Sequence, residues 1–146
     1  MNKQELLNSI KTKITDKIQS FENLIAETRA SSNDTKSSMG DKYETGREML
    51  QQEINNLQRQ LNEALIQQSV IQKISAEPSV KAQGGALIKT DKGLFYITVS
   101  AGEIISEGKK IMTISAESPL AKAMSGKKEH ENFTVNNITQ VIKTIW

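Results

Sequence analysis

No cysteine occurs among the 146 residues, which excludes a disulfide framework, a thiolate nucleophile and a cysteine metal site. Histidine occurs once, as His130, in a polar turn beside Glu129 and Glu131, where a lone imidazole reads as a solvated surface group rather than a base or ligand. Aromatics make up 4% of the chain (Phe21, Tyr43, Phe95, Tyr96, Phe133 and Trp146), too few for one large core, so two thin modules fit the length better. No run approaches the ~20 apolar residues of a membrane span. The opening MNKQELLNSIK has no apolar segment of signal-peptide type. Charge of one sign is missing too: residues 1–76 carry ten basic and ten acidic side chains, residues 77–146 nine and seven. Neither half has the basic field of a protein that grips a nucleic-acid backbone by itself. There is no Walker A loop and no supported Ser/His/Asp set, and Gly84-Gly85 is too short to cradle phosphate. The expectation is a soluble cytoplasmic protein, bound to no membrane and with no active site of its own.

What the chain does have is helical periodicity. From Gln4 to Ala30 the apolar residues Leu6, Leu7, Ile10, Ile14, Ile18, Phe21, Leu24 and Ile25 step by threes and fours along one face. A second stripe, Leu50, Ile54, Leu57, Leu61, Ala64 or Leu65, and Ile71, lies in a segment that the pattern carries to Ala76. Between them the Ser/Asn/Asp/Gly-rich run Ser31 to Gly40 favours turns over helix. The pattern predicts an antiparallel coiled-coil helical hairpin over 1–76 with its tip at about 31–40, a rod roughly 40 Å or more long at 1.5 Å per residue. A hairpin that satisfies its own stripe is expected to be a monomer.

Pro78 stops the helical pattern and a different composition follows. Ala86 to Thr90 and Leu94 to Ser100 read as strands joined by the turn Asp91-Lys92-Gly93, and Lys110 to Ile114 as another. Ser118 is placed as an N-cap, Pro119 at the first helical position and Gly126 at the stop of one short helix. Asn132 to Asn136 and Ile138 to Ile145 close the chain as two strands around Asn136-Asn137. Residues 79–146 should thus be a small antiparallel sheet with one helix, making the whole chain α+β. Helical spacing commits Leu120 and Met124 to the core and leaves Lys122 exposed.

The hairpin tip carries the chemistry-bearing residues, Asp34, Asp41 and Glu44, mixed with Lys36, Lys42 and Arg47. Two roles are open for the carboxylates. Asp41-Lys42-Tyr43-Glu44 has the form of a capping box at the start of the second helix. Exposed carboxylates at a remote tip can also supply oxygen ligands to a Mg²⁺ held mainly by another molecule, because Mg²⁺ commonly keeps few protein ligands.

With this order of parts, the chain resembles the GreA/GreB family of bacterial transcript cleavage factors over nearly its whole length. The stretch Ile114-Ser115-Ala116-Glu117-Ser118-Pro119-Leu120-Ala121-Lys122-Ala123-Met124-Ser125-Gly126-Lys127 looks like the signature through the helix of the family's FKBP-like C-terminal domain. Tyr43 followed by Arg47-Glu48 resembles the start of its second hairpin helix. The resemblance implies a transcription elongation factor whose C-terminal domain docks on bacterial RNA polymerase, with Ser118, Pro119 and Lys122 the candidate docking residues. It further implies that the hairpin enters the secondary channel, and that nucleic acid, DNA included, is met only within the transcription complex. It implies no bound cofactor beyond a Mg²⁺ shared with the polymerase active site. The tip carboxylates Asp41 and Asp34 would share that metal and, with Glu44, help the polymerase cleave backtracked RNA. In register on Ser38 and Tyr43, however, Met39 and Lys36 stand where the family has its metal-binding Glu and Asp. A channel-occupying regulator that does not stimulate cleavage is therefore a second reading, and a coiled-coil scaffold or adaptor a third.

Overall fold

The computed structural model describes residues 2–34 and 44–146. Two long helices come first, α1 (Lys3–Asp34) and α2 (Glu44–Gln72). Asn2 opens α1 as its cap, with its Oδ1 accepting from the Glu5 N–H at 3.2 Å. The polar faces carry Gln-to-Asn amide pairs one turn apart, Gln4–Asn8, Gln19–Asn23 and Gln51–Asn55, each at 3.0–3.1 Å, which support helix without help from packing. Among the described residues no helix is long and apolar enough to cross a membrane.

Both helices depart from expectation at one end. α1 continues through Ser31–Asp34, because adding poor helix formers to an already nucleated helix costs only a few tenths of a kcal/mol each. α2 stops at Gln72, short of Ala76. There Lys73 and Ile74 donate to the carbonyls three residues back, Val70 and Ile71, tightening the last turn. Ser75 Oγ then accepts from the Glu77 N–H at 3.1 Å, and the chain leaves the helix before Pro78.

Beyond α2 lie β1 (Leu87–Thr90), β2 (Leu94–Thr98), β3 (Glu103–Ser106), β4 (Lys109–Ser115), α3 (Pro119–Met124), β5 (Asn132–Val135) and β6 (Ile138–Ile145). They form a six-stranded sheet in the order β3-β4-β2-β1-β6-β5. The α+β fold class stands, but the sheet is mixed rather than wholly antiparallel: β2 and β4 run parallel, with Leu94 opposite Ile111 and Thr98 opposite Ser115. The cause is β3, a strand of four residues that sequence periodicity does not announce. It pairs with β4 through a tight turn at Glu107-Gly108, whose φ values are 53° and 74°, and so sends β4 back alongside β2 in the same direction. At the other edge Asn136 and Asn137, with φ of 53° and 64°, make the primed turn between β5 and β6.

The chain divides into two compact units, one comprising Met1–Lys13 and Ser69–Trp146, the other Ile14–Gln68. In the second, segment 17–21 of α1 and segment 60–67 of α2 line a common cleft, and Ile18, Ile25, Ile54 and Ala64 are buried. In the first, one face of the sheet packs Ile88, Ile97, Ile114 and Ile142 against Ala121 and Met124 of α3 and Phe133 of β5. The opposite face is closed off as well. Leu87, Tyr96 and Ile111 are fully buried there, and the apolar side chains of the same unit that can cover them are Leu6, Leu7, Ile10 and Ile71.

The Tyr96 hydroxyl and Thr98 Oγ1 have no hydrogen-bond partner among the described residues, and burial pushes the Tyr96 pKa up to about 12.

Lys3 ties this unit together. Its buried ammonium donates to the carbonyls of Glu77 at 2.7 Å and Trp146 at 3.0 Å, joining the start of α1 to the linker and to the end of β6. Burial lowers the Lys3 pKa, and the Glu77 carboxylate opposes that shift. Lys3→Met should cost about 2–4 kcal/mol, since it leaves two carbonyls without their charged donor. Denaturant unfolding followed by the fluorescence of Trp146, the single tryptophan, measures this directly. An unchanged midpoint would show that water replaces the ammonium at no cost.

Candidate functional site

The short helix α3 is built by local chemistry. Ser118 caps it from an extended backbone (φ −65°, ψ 153°), with Oγ accepting from the Ala121 N–H at 3.2 Å and donating to the Ser115 carbonyl at 2.8 Å. Its own N–H donates to Ser115 O and its carbonyl accepts from Lys122 N, so every polar group of Ser118 is engaged within the chain. Pro119 fills the first helical position, where a missing N–H costs nothing. Gly126 ends the turn at φ 77°, and its N–H donates to Ala82 O at 2.8 Å, stitching the end of α3 to the segment before β1. Of the three candidate docking residues, Pro119 and Lys122 are exposed and Ser118 is half-buried.

Beside α3 the surface opens into a cleft of about 320 Å³. Ser118, Pro119 and Leu120 form one wall, Val135, Asn136 and Ile138 the other, and Ile114 and Gln140 the floor. Gln140 is fixed in place, its Oε1 accepting from Thr90 Oγ1 at 2.8 Å. The wall from β5 and β6 was not foreseen from sequence. Its signal was present all the same: Ile138 is an apolar residue directly after the Asn136-Asn137 turn, at the start of a strand whose next inward positions, Gln140 and Ile142, are buried.

At the hairpin tip, Asp34 is the last residue of α1 and Glu44 the first of α2. Asp41, with Lys36 and Met39, lies outside the described residues, and so does the capping-box reading that depends on it. Among the described residues no three His, Cys, Asp or Glu side chains come together to hold a metal ion. His130 is exposed at φ 73°, with its N–H donating to Ile142 O at 2.7 Å.

Neither a family model nor a curated protein matches the chain. Among solved structures, 93% of this chain is similar to 94% of the GreA factor homolog 1 (Gfh1) protein of Thermus thermophilus, at 12% identity and a TM-score of 0.38. A second structure, of the transcription factor Gfh1, matches over 92% of each chain at 13% identity and a TM-score of 0.38. Thermus aquaticus Gfh1 likewise covers 92% of each chain, at 13% identity and a TM-score of 0.36. The likeness to Gre-factor structures is one of fold, and a distant one.

Proposed function

We propose that this chain is an RNA polymerase-binding transcription factor whose sheet unit docks on the polymerase and whose helical hairpin enters the secondary channel. The observation that supports this reading is the stretch Ile114 to Lys127, on which the family resemblance rests. It folds as a strand end, a Ser118-capped helix and a left-handed Gly126, and the described residues otherwise form two long helices and five more strands. On this reading the protein has no active site of its own and changes transcription by occupying the channel. Met39 and Lys36 at the family's acidic positions favour occupation without cleavage.

A second reading, cleavage stimulation, is supported by the carboxylates that remain near the tip. Asp34 and Asp41 are hard oxygen donors suited to Mg²⁺, which they would share with the polymerase active site. The test is binding of the purified chain to the cognate polymerase, followed by RNA shortening in backtracked complexes at fixed Mg²⁺. The expected result is saturable binding with no acceleration. Acceleration that disappears in Asp41→Asn would establish the second reading, and absence of binding would overturn both.

A further inference from the structure

We propose that the ammonium of Lys13 closes the open edge of the sheet at β3, and that without it β3 accepts the β3 strand of a second copy of this chain. β3 is an outermost strand, and its own residues, Glu103-Ile104-Ile105-Ser106, include neither the lysine nor the proline that would discourage another strand from adding to it. The two-residue turn at Glu107-Gly108 makes Ser106 and Lys109 a hydrogen-bonded pair, and the pairing alternates from there. Ile104 is thus bonded to Ile111, and beyond the strand Thr113 N–H donates to Gly102 O at 2.9 Å in the same phase. Glu103 and Ile105 therefore turn their N–H and C=O groups away from β4, to the outside of the sheet.

Lys13, on α1 but in the same compact unit as β3, meets this edge. Its Nζ donates to Glu103 O at 3.2 Å, and among the described residues no other hydrogen bond reaches the outward groups. Gly102, at φ 82°, leaves the room for it: a Cβ there would stand 3.2 Å from Lys13 Nζ. Thr113 holds Gly102 in place, since its N–H and its hydroxyl both donate to the Gly102 carbonyl.

The side chains beside the edge say what it would take up. Ile105 is 69% exposed and Met112 42%, and the register puts both on the sheet face that carries half-buried Phe95. An apolar stripe thus runs from the rim of the core beneath α3 out to the edge. A second β3 fits it. Paired antiparallel about Ile104, Glu103 of each copy lies opposite Ile105 of the other, and every outward N–H and C=O finds a partner. The two Ile105 side chains then lie diagonally adjacent on one face. Glu103 O must accept in both of those pairs, and it is the atom that Lys13 holds.

Sedimentation at rising concentration and hydrogen exchange of the Ile105 amide test this in the full chain. The wild type is expected to stay monomeric, with a fast-exchanging Ile105 N–H. Lys13→Ala should tighten self-association at least about tenfold and protect that amide, with circular dichroism of the dilute chain unchanged. Lys13→Arg keeps a cationic donor and should behave as the wild type does. Ile105→Pro removes an outward N–H at a position where an edge strand tolerates proline, and should return the Lys13→Ala chain to monomer. A Lys13→Ala chain no more associated than the wild type overturns the proposal. So does association that survives Ile105→Pro or leaves the Ile105 amide unprotected, because it then runs through another surface. A wild type that already pairs through β3 overturns it as well, since the lysine would not be holding the edge closed.

Discussion

Ile142→Ala is expected to lower the free energy of unfolding by about 3–4 kcal/mol and the melting temperature by roughly 10 °C. Ile142 is fully buried, sits on the central part of β6 opposite Thr90, and shares the core beneath α3 with Ile88, Ile97, Met124 and Phe133. Truncating it removes apolar contact and leaves a cavity that neighbours held by the sheet register cannot fill. The loss would be a large share of the ~5–15 kcal/mol that stabilises an ordinary domain. Ile138 on the same strand is the control: it is exposed, and its replacement by Ser should move stability by no more than about 0.5 kcal/mol. Denaturant titration followed by Trp146 fluorescence reports on the unit that contains both residues. A loss below about 1 kcal/mol for Ile142→Ala would mean that α3 settles into the space, against the picture of a core fixed by register.

On the proposed reading, replacing residues 35–43 by a short Gly/Ser turn is expected to abolish the effect of the protein on transcription while leaving its affinity for polymerase within a few-fold. The doubly substituted Asp34→Asn, Asp41→Asn chain should act nearly as the wild type does. The reasoning is electrostatic. In the sequence Lys36 and Lys42 are interleaved with Asp34, Asp41 and Glu44, and lysines so interleaved would offset the pull of the carboxylates on a cation; on the proposed reading the chain would then act through bulk and net charge more than through a single metal ligand. Initiation, pausing and RNA-shortening assays on one polymerase preparation would decide it. If the double substitution removes the effect while binding persists, metal delivery by those two carboxylates is the mechanism and channel occupation alone is not.

What could be read in advance was local. The stripes of Leu and Ile fix two helices, Ser118-Pro119 and Gly126 bracket α3, and Asn136-Asn137 set the turn before β6, because each of these depends on residues a few positions apart. What escaped was long-range or too short to have a period. The four residues of β3 fall below the length at which alternation can be recognised, and missing them hides the parallel pairing of β2 with β4. The ends of α1 and α2 depart from the sequence pattern because propensity decides a terminus only weakly. The cleft escaped because Leu120 and Ile138 are 18 positions apart and meet only once β6 has returned to the sheet beside β1. Of the tip carboxylates, Asp34 and Glu44 fall at the helix ends, and Asp41 lies in the stretch between them.

Lys3, with Leu6, Leu7 and Ile10, belongs to a unit whose other residues begin only at Ser69. On the ribosome this fixes an order of events. The first turns of α1 are made earliest, yet their buried partners emerge last: β1 waits for β6, some fifty positions later, and the Trp146 carbonyl that receives the Lys3 ammonium is at the last residue of the sequence. The inner parts of α1 and α2 can pair as soon as α2 is out, whereas Leu6, Leu7 and Ile10 lack the sheet of their own unit until translation of this stretch is complete. Between the appearance of α1 and that of β6 the nascent chain therefore carries an apolar segment accessible to chaperones, and a chain cut short before β6 would carry it permanently.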